Sequence, residues 1–333
     1  MQAGNITGEQ LTNAVNENTL LKLTPFWTRN IIANEAVIKK GKGVNAFFEK
    51  EKKSKTTDVP VVIVSGGPSL DKNIKLLPLC KDKAIIICVD SMLKKVMKLG
   101  IKPEFVVITD AEWGSLGNCF ENLPMDTKDI ALLADVYTNP EIIKKWNGEI
   151  YWYSILQVEG SPLTQIVDPE FTGKPIGKLV CGGCVSSVAL SFASGALKCD
   201  PIIMIGQDCG WYDSELHHAK GFEGTNVNIG EELVEDIYGR PFFTTPVLKA
   251  YSYWFERIVC GRITPGFPSI NGIFVNATQG GMVSKGWLIQ TFQEAIDRYL
   301  KVNYNIKELL YPREKGGKDG KKRVNKKVPG KIS

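Results

Sequence analysis

The chain of 333 residues holds no apolar run near the ~18 residues that a membrane-spanning helix needs, so a helical membrane protein is excluded. Its start, MQAGNITGEQLTNAVNENTL, lacks the basic cluster and apolar stretch of a secretory signal, so residence in the cytoplasm is expected. There is no GK[ST] ending of a phosphate-binding Walker loop, no GxGxxG, and no internal repeat. Histidine is scarce, with two residues, the adjacent His217 and His218. Cys181 and Cys184 form a CxxC, but no second pair follows at zinc-ribbon spacing, and glycines fill the gap between them. That motif is expected to be a packed turn, and the eight cysteines to be reduced thiols in apolar surroundings.

What is present is the composition of a globular protein with a sizeable core, 43% apolar and 23% charged. The net charge of +5 is unevenly spread. Residues 312–333 carry nine Lys/Arg against two Asp/Glu, which leaves the remaining body at −2. This tail has little to bury and is expected to be disordered, either a solubilising appendage or an electrostatic arm for nucleic acid. Three parts follow: a helical N-terminal segment (1–57) with a break at Thr24-Pro25, a core (58–311), and the basic tail (312–333).

The core alternates. VPVVIVSG, AIIICVD, FVVITD, DIALLAD, EIYWYSIL and PIIMIGQD are buried-strand runs, separated by amphipathic or small-residue helical stretches such as KNIKLLPLCK, SMLKKVMKLG and VSSVALSFASGALK. Residues 209–245 show little apolar periodicity and are expected to be a long active-site loop. TPVLKAYSYWFERIV is a further helix, IFVNATQGG a last short strand and turn, and GWLIQTFQEAIDRYLK a closing helix. This is βαβ repetition, and the expected class is α/β, a Rossmann-like, mostly parallel sheet with helices on both faces.

Ligands of such sheets bind beyond the carboxyl ends of the strands, so polar residues there are the candidates. Gly66, Gly67, Pro68 and Ser69 follow the first strand, where glycines allow backbone amides to approach a phosphate; an ordinary βα turn is the alternative. Asp90 and Ser91 could meet a ribose or simply cap a helix. Asp110 and Glu112, with Trp113 behind them, could hold Mg²⁺ against a diphosphate, or form a solvated acidic loop. Asp208 ends another strand, followed by Trp211, Tyr212 and the two histidines, of which His218 or His217 is the candidate general base. Gly182, Gly183, Ser186 and Ser187 form a second glycine-rich approach to a helix.

The ordered set VVIVSGGPSLDKNI, AIIICVDSMLKKVMKLGIKPEFVVITD, GGCVSSVALSFASGALKCDPIIMIGQD, HAKG, DIYGRPFFTTPVLKAYSYWFE and NATQGG resembles the motility accessory factor family of bacterial flagellin glycosyltransferases over about residues 10–300. The core of that family is similar to bacterial lipooligosaccharide sialyltransferases and archaeal 6-hydroxymethylpterin diphosphokinases. The resemblance implies a nucleotide-sugar transferase. Gly66–Ser69 and Gly182, Gly183, Ser186 and Ser187 would hold the nucleotide, and Asp90, Ser91 and Asp110 the donor. Asp208 and Tyr212 would act on the phosphate, His218 on the acceptor, and Asn276, Thr278, Gly280 and Gly281 would form the late turn. Cys184 stands where the family has Ser, and the flagellin enzymes are longer. The acceptor would be a hydroxyl of a protein, a glycan or a hydroxymethylated DNA base. The alternatives are a Mg²⁺-dependent diphosphokinase acting on a hydroxymethyl pterin and a non-catalytic nucleotide-binding module.

Overall fold

The computed structural model describes residues 8–48, 58–109, 111, 119–155, 173–213, 216–221, 230–261 and 272–311, with residues 8–23 described only by their helix. Asp110, Glu112, Trp113 and the basic tail lie outside the described residues. The strands are β1 (Lys42–Gly43), β2 (Val61–Val64), β3 (Ile85–Val89), β4 (Phe105–Ile108), β5 (Ala131–Asp135), β6 (Ile150–Ile155), β7 (Lys178–Leu179), β8 (Ile202–Ile205), β9 (Glu232–Glu235), β10 (Pro241–Thr244), β11 (Phe274–Asn276) and β12 (Leu288–Ile289). The main sheet has the order β1-β6-β5-β4-β3-β2-β8-β11-β12, with β7 on β6. Its ladders are parallel.

The burial of β2, β3, β4, β5 and β8 is complete along each strand, which is why they read as unbroken apolar runs. One face packs Val62, Val64, Ile86 and Leu132 against Leu70, Leu77, Leu93, Ile142 and Phe292. The other packs Val61, Ile63, Ile87, Phe105 and Val107 against Val188, Leu190, Phe192 and Phe255. The expected α/β class with helices on both faces is therefore the observed one.

Four local expectations are corrected. Pro25 lies inside one continuous helix, α1 (Gly8–Lys40), instead of breaking it; the Thr28 hydroxyl donates to the Thr24 carbonyl in that turn. The α-helix of the N-terminal segment stops at Lys40, and Lys42–Gly43 joins the sheet as β1 beside β6, followed by a single 3-10 turn at Val44–Phe47. Asn30 and Asn34 of α1 donate to the carbonyls of Ala111, Val136, Tyr137 and Thr138, tying the helix to the carboxyl ends of β4 and β5. Residues 232–244, expected within a loop, form the antiparallel hairpin β9–β10. The closing helix starts only at Phe292, because Leu288–Ile289 pair with β11; a Thr291–Glu294 capping box sets its start.

Candidate functional site

From β2 the chain steps outward through β3, β4, β5 and β6, then returns to place β8 on the opposite side of β2. The strand order thus reverses between β2 and β8, and the crevice at a topological switch point is the default ligand site of an open parallel sheet. The loop after β2 is Ser65–Ser69, and the segment after β8 is Gly206–Cys209. The two are in direct contact. Gly67 N donates to Gly206 O (2.8 Å), and Asp208 Oδ2 accepts from both Ser69 N (3.3 Å) and Ser69 Oγ (2.8 Å). Position 67 must be glycine, because a Cβ there would overlap Asp208 Oδ2 and lie 2.7 Å from Gly206 O.

These bonds engage two amides of the expected cradle. The loop amides at Gly67 and Ser69 are spent on Gly206 and on Asp208, so the protein's own carboxyl occupies the place assigned to a phosphate. The second glycine-rich segment is also internally satisfied. Gly182 N donates to Ser187 Oγ (2.7 Å), Gly183 N to Cys181 Sγ (3.3 Å), and Ser187 Oγ to Cys184 O (2.5 Å). Gly182 packs flat on the Trp254 indole, where a Cβ would collide. The helix that follows, Val185–Ser191, lies on the face of β2–β4 opposite to α2 (Leu70–Asn73). The two glycine segments therefore lead into helices on opposite faces of the sheet. Burial pushes the Cys181 thiol up to about 12 and raises Cys184 as well, so both stay protonated at neutral pH.

What the sequence reading missed is a cavity of 380 Å³ lined by Pro68, Ser69, Asp71, Lys72, Tyr212, Asp213, Leu216, Lys220 and Arg240. Three cations converge on it from three separate segments. Lys72 comes from α2, with its Nζ 5.5 Å from the centre of the Tyr212 ring. Lys220 comes from the histidine loop. Arg240 comes from the turn of the β9–β10 hairpin, with its guanidinium 5.0 Å from the ring centres of Tyr212 and of Tyr238. Asp71, the nearest acidic side chain of α2, is paired with Lys95 and accepts from Lys220 N.

Tyr212 itself is committed elsewhere. Its hydroxyl donates to Asp236 Oδ2 (2.5 Å) and accepts from Gly281 N (3.0 Å) and Arg240 Nη2 (2.9 Å). A phenol has one proton and two lone pairs, so this hydroxyl has nothing left for a phosphate. Burial and the bond to Asp236 hold the phenol well above its usual range. Asp236 is buried, yet hydrogen bonds from Arg240 and Tyr212 outweigh desolvation and pull it down to about 2.

The histidine loop folds back on the first glycine loop. Gly66 O accepts from Ala219 N (3.0 Å) and from the His218 ring. Burial, with the His217 charge second, lowers His218 to about 4, so it is a neutral imidazole at physiological pH. His217 is stacked on Trp211, with ring centres 4.0 Å apart and planes 12° from parallel.

Asp208 is fully enclosed. Burial raises it from 3.8 to about 7 against the opposing bonds from Ser69, and its Oδ1 has no hydrogen-bond partner among the described residues. A carboxyl poised near neutrality at a switch point is a candidate proton carrier. The raised value also makes a stability statement. The folded chain holds a proton that the unfolded chain releases above about 4. This stabilising contribution is present at low pH and is lost as pH rises towards 7. D208N is expected to gain stability relative to the natural chain between pH 4 and pH 8, by roughly 2–4 kcal/mol. Urea titrations of both chains at the two pH values measure it; a difference that does not change with pH would refute the assignment.

The other candidates fall as follows. Ser91 N donates to Asp90 Oδ1 (2.7 Å), and Ser91 Oγ is the nearest atom to Gly66, so the β3 tip abuts the first loop. Asn276 and Thr278 are buried and knit the late turn to the end of β8: Asn276 donates to Val283 O, and Gln207 N donates to Thr278 Oγ1. They meet the crevice through Gln207 and through Asn73 of α2, whose amide donates to the carbonyls of Ala277 and Thr278. Ser186 lies beside Cys184, and Ser187 is inaccessible. Asp135, at the tip of β5, is buried with no partner for Oδ2 among the described residues, and the strand-tip rule that selected Asp90 and Asp208 would have found it.

No curated protein matches this chain. A solved structure, the MAf glycosyltransferase from Magnetospirillum magneticum AMB-1, superposes with a TM-score of 0.56 at 16% identity, over 80% of this chain and 39% of that one. The chain thus spans well under half of that protein, and the likeness is one of fold. No helix among the described residues is long and apolar enough to cross a membrane. The family described as 6-hydroxymethylpterin diphosphokinase MptE-like matches residues 29–214, from α1 through β8 to the Tyr212 segment. That match takes in both crevice loops and more than half of the sequence, and the chain belongs to the MptE-like family.

Proposed function

We propose that this chain is a glycosyltransferase that takes a sugar from a nucleotide-activated donor and places it on an acceptor hydroxyl of a protein, a glycan or a hydroxymethylated DNA base. The observation that carries the reading is the convergence of Lys72, Lys220 and Arg240 on one cavity beside the switch-point loop. Fixed cations beside a departing phosphate stabilise the charge that builds on it. The fold shared with a glycosyltransferase supports the choice of donor.

In this mechanism the acceptor oxygen attacks the anomeric carbon, and the carbon–oxygen bond to the phosphate breaks. The electron pair stays on the phosphate oxygen beside the cations. The acceptor proton passes to His218, a neutral imidazole oriented by the Gly66 carbonyl. Tyr212 orders the site through Arg240 rather than donating to the leaving group.

The family match supports a second reading, transfer of a diphosphate from ATP to a hydroxymethyl pterin. That chemistry uses Mg²⁺. Among the described residues no three acidic, thiol or imidazole groups converge as metal ligands. Asp110 falls outside the described residues. Incubation of the full chain with UDP-, GDP- and CMP-sugars and with ATP, with chromatography of the released nucleotide, separates the readings. Glycosyl transfer yields a nucleoside mono- or diphosphate from one sugar donor. AMP from ATP, with every sugar donor inert, would overturn the proposal in favour of the diphosphokinase.

A further inference from the structure

The hairpin β9–β10 carries an acidic side chain that nothing in the transfer chemistry requires. Asp236 is 6% exposed and accepts five hydrogen bonds, divided cleanly between its two oxygens. Oδ1 takes Tyr238 N and Arg240 N, both at 2.9 Å, and so builds the hairpin turn. Oδ2 takes Arg240 Nε (2.8 Å), Arg240 Nη2 (2.6 Å) and the Tyr212 hydroxyl (2.5 Å), and so fixes a guanidinium. Arg240 Nη2 also donates to Gln279 O (3.2 Å). These bonds consume Nε and Nη2, leaving Nη1 without a hydrogen-bond partner among the described residues. The side chain remains 45% exposed and lines the cavity. A free arginine loses much rotamer freedom when it grips a ligand; this one has lost it already, held by Asp236 and sandwiched between Tyr212 and Tyr238.

The cations also come from different elements, with Lys72 and Arg240 both set against the Tyr212 ring. Lys72 and Lys220 belong to the segments around the first loop, while Arg240 belongs to the hairpin. One phosphate can be served by the lysines alone, whereas two linked phosphates can span from the lysines to the hairpin. We infer that Asp236 is a positioning residue that pre-organises Arg240 to read the second phosphate, so that the donor is a nucleoside diphosphate derivative and not a monophosphate one. This inference rests on the cavity being the donor's phosphate site, as proposed above.

The substitution that isolates it is D236N. Asparagine keeps an oxygen for the two turn amides and replaces Oδ2 with an NH₂ that faces the guanidinium. Calorimetric titration of the full chain with pyrophosphate and with orthophosphate reads the effect. The natural chain is expected to prefer pyrophosphate. D236N is expected to lose roughly tenfold in pyrophosphate affinity, with orthophosphate affinity within about twofold. The double variant D236N/R240A is expected to bind no more weakly than R240A, since residues acting through one another are non-additive. Should D236N fail to fold, R240K carries the test: it leaves Asp236 and the turn in place but cannot both hold Oδ2 and present a second fork, so the same loss of preference is expected. Pyrophosphate binding that D236N or R240K leaves intact, or a loss shared equally by both anions, overturns the inference while the cavity reading stands. Failure of the natural chain to bind either anion overturns both.

Discussion

Replacing Gly67 with alanine is expected to lower stability by roughly 2–4 kcal/mol and to abolish anion binding, while the same change at Gly66 is tolerated. The two glycines are adjacent in sequence and look equivalent there. In space they are not. A Cβ at position 67 would overlap Asp208 Oδ2 and crowd the Gly206 carbonyl at 2.7 Å, and backbone on the neighbouring strand end cannot yield. Relief would require separating the loop from β8, breaking the Gly67–Gly206 bond and the two Ser69–Asp208 bonds. That leaves a fully buried carboxyl without donors and shifts Pro68 and Ser69, which line the cavity. At Gly66 the nearest atom to an added Cβ is Ser91 Oγ at 3.4 Å, an ordinary contact. Thermal melts of G66A and G67A, run side by side, decide the matter. Equal Tm values would show that the loop and β8 are not locked together as described.

His218→Ala is expected to reduce transfer by roughly 10²- to 10⁴-fold, the usual contribution of a positioned proton acceptor. His217→Ala is expected to affect mainly stability, because that ring is stacked on Trp211 and is 8% exposed. The pH profile adds a sharper criterion. Burial lowers His218 to about 4, so the neutral, proton-accepting form persists well below the normal histidine range. The acid limb of kcat/KM assigned to this group should therefore lie near 4 and vanish in H218A. The same shift makes the folded chain resist protonation: its contribution to stability is present above about 6.5 and is lost as pH falls from there towards 4. A rate that is insensitive to H218A, measured with whichever donor proves active, would remove His218 from the chemistry.

The strands were legible because burial on both faces of a parallel sheet leaves only apolar residues along each run, as in Val61–Val64 and Ile85–Val89. The crevice loops were legible for the same reason, since polar residues directly after such runs must sit at the strand tips. The hairpin was not, because Glu232, Leu233 and Glu235 are exposed and β9 has no alternating inner face to betray it. The cations were hidden for a different reason. Lys72 follows Asp71 on a short helix, Lys220 sits in a glycine-bounded loop, and Arg240 ends a turn; each alone reads as a solvated charge. Only the fold, which brings α2, the histidine loop and the hairpin to one cavity, turns them into a set. Asp236 and Arg240 carry a faint mark in their four-residue spacing, but nothing local says that one holds the other. That Asp208, correctly placed at a strand tip, would accept from the Ser69 amide and hydroxyl was not legible, because the two loops are 139 residues apart in the chain.

The central claim is that side-chain cations beside the switch-point loop, and not the loop's backbone amides, hold the donor's phosphates. It is tested most directly by measuring the affinity of the full chain for UDP-, GDP- and CMP-sugars and for ATP across a range of salt concentrations, in the natural chain and in K72A/K220A. One nucleotide class should bind, with affinity falling as salt rises, and the double variant should bind it roughly a hundredfold more weakly while melting at an unchanged temperature. Binding that is equally tight in K72A/K220A, with the same salt dependence, would place the phosphates elsewhere and contradict the account.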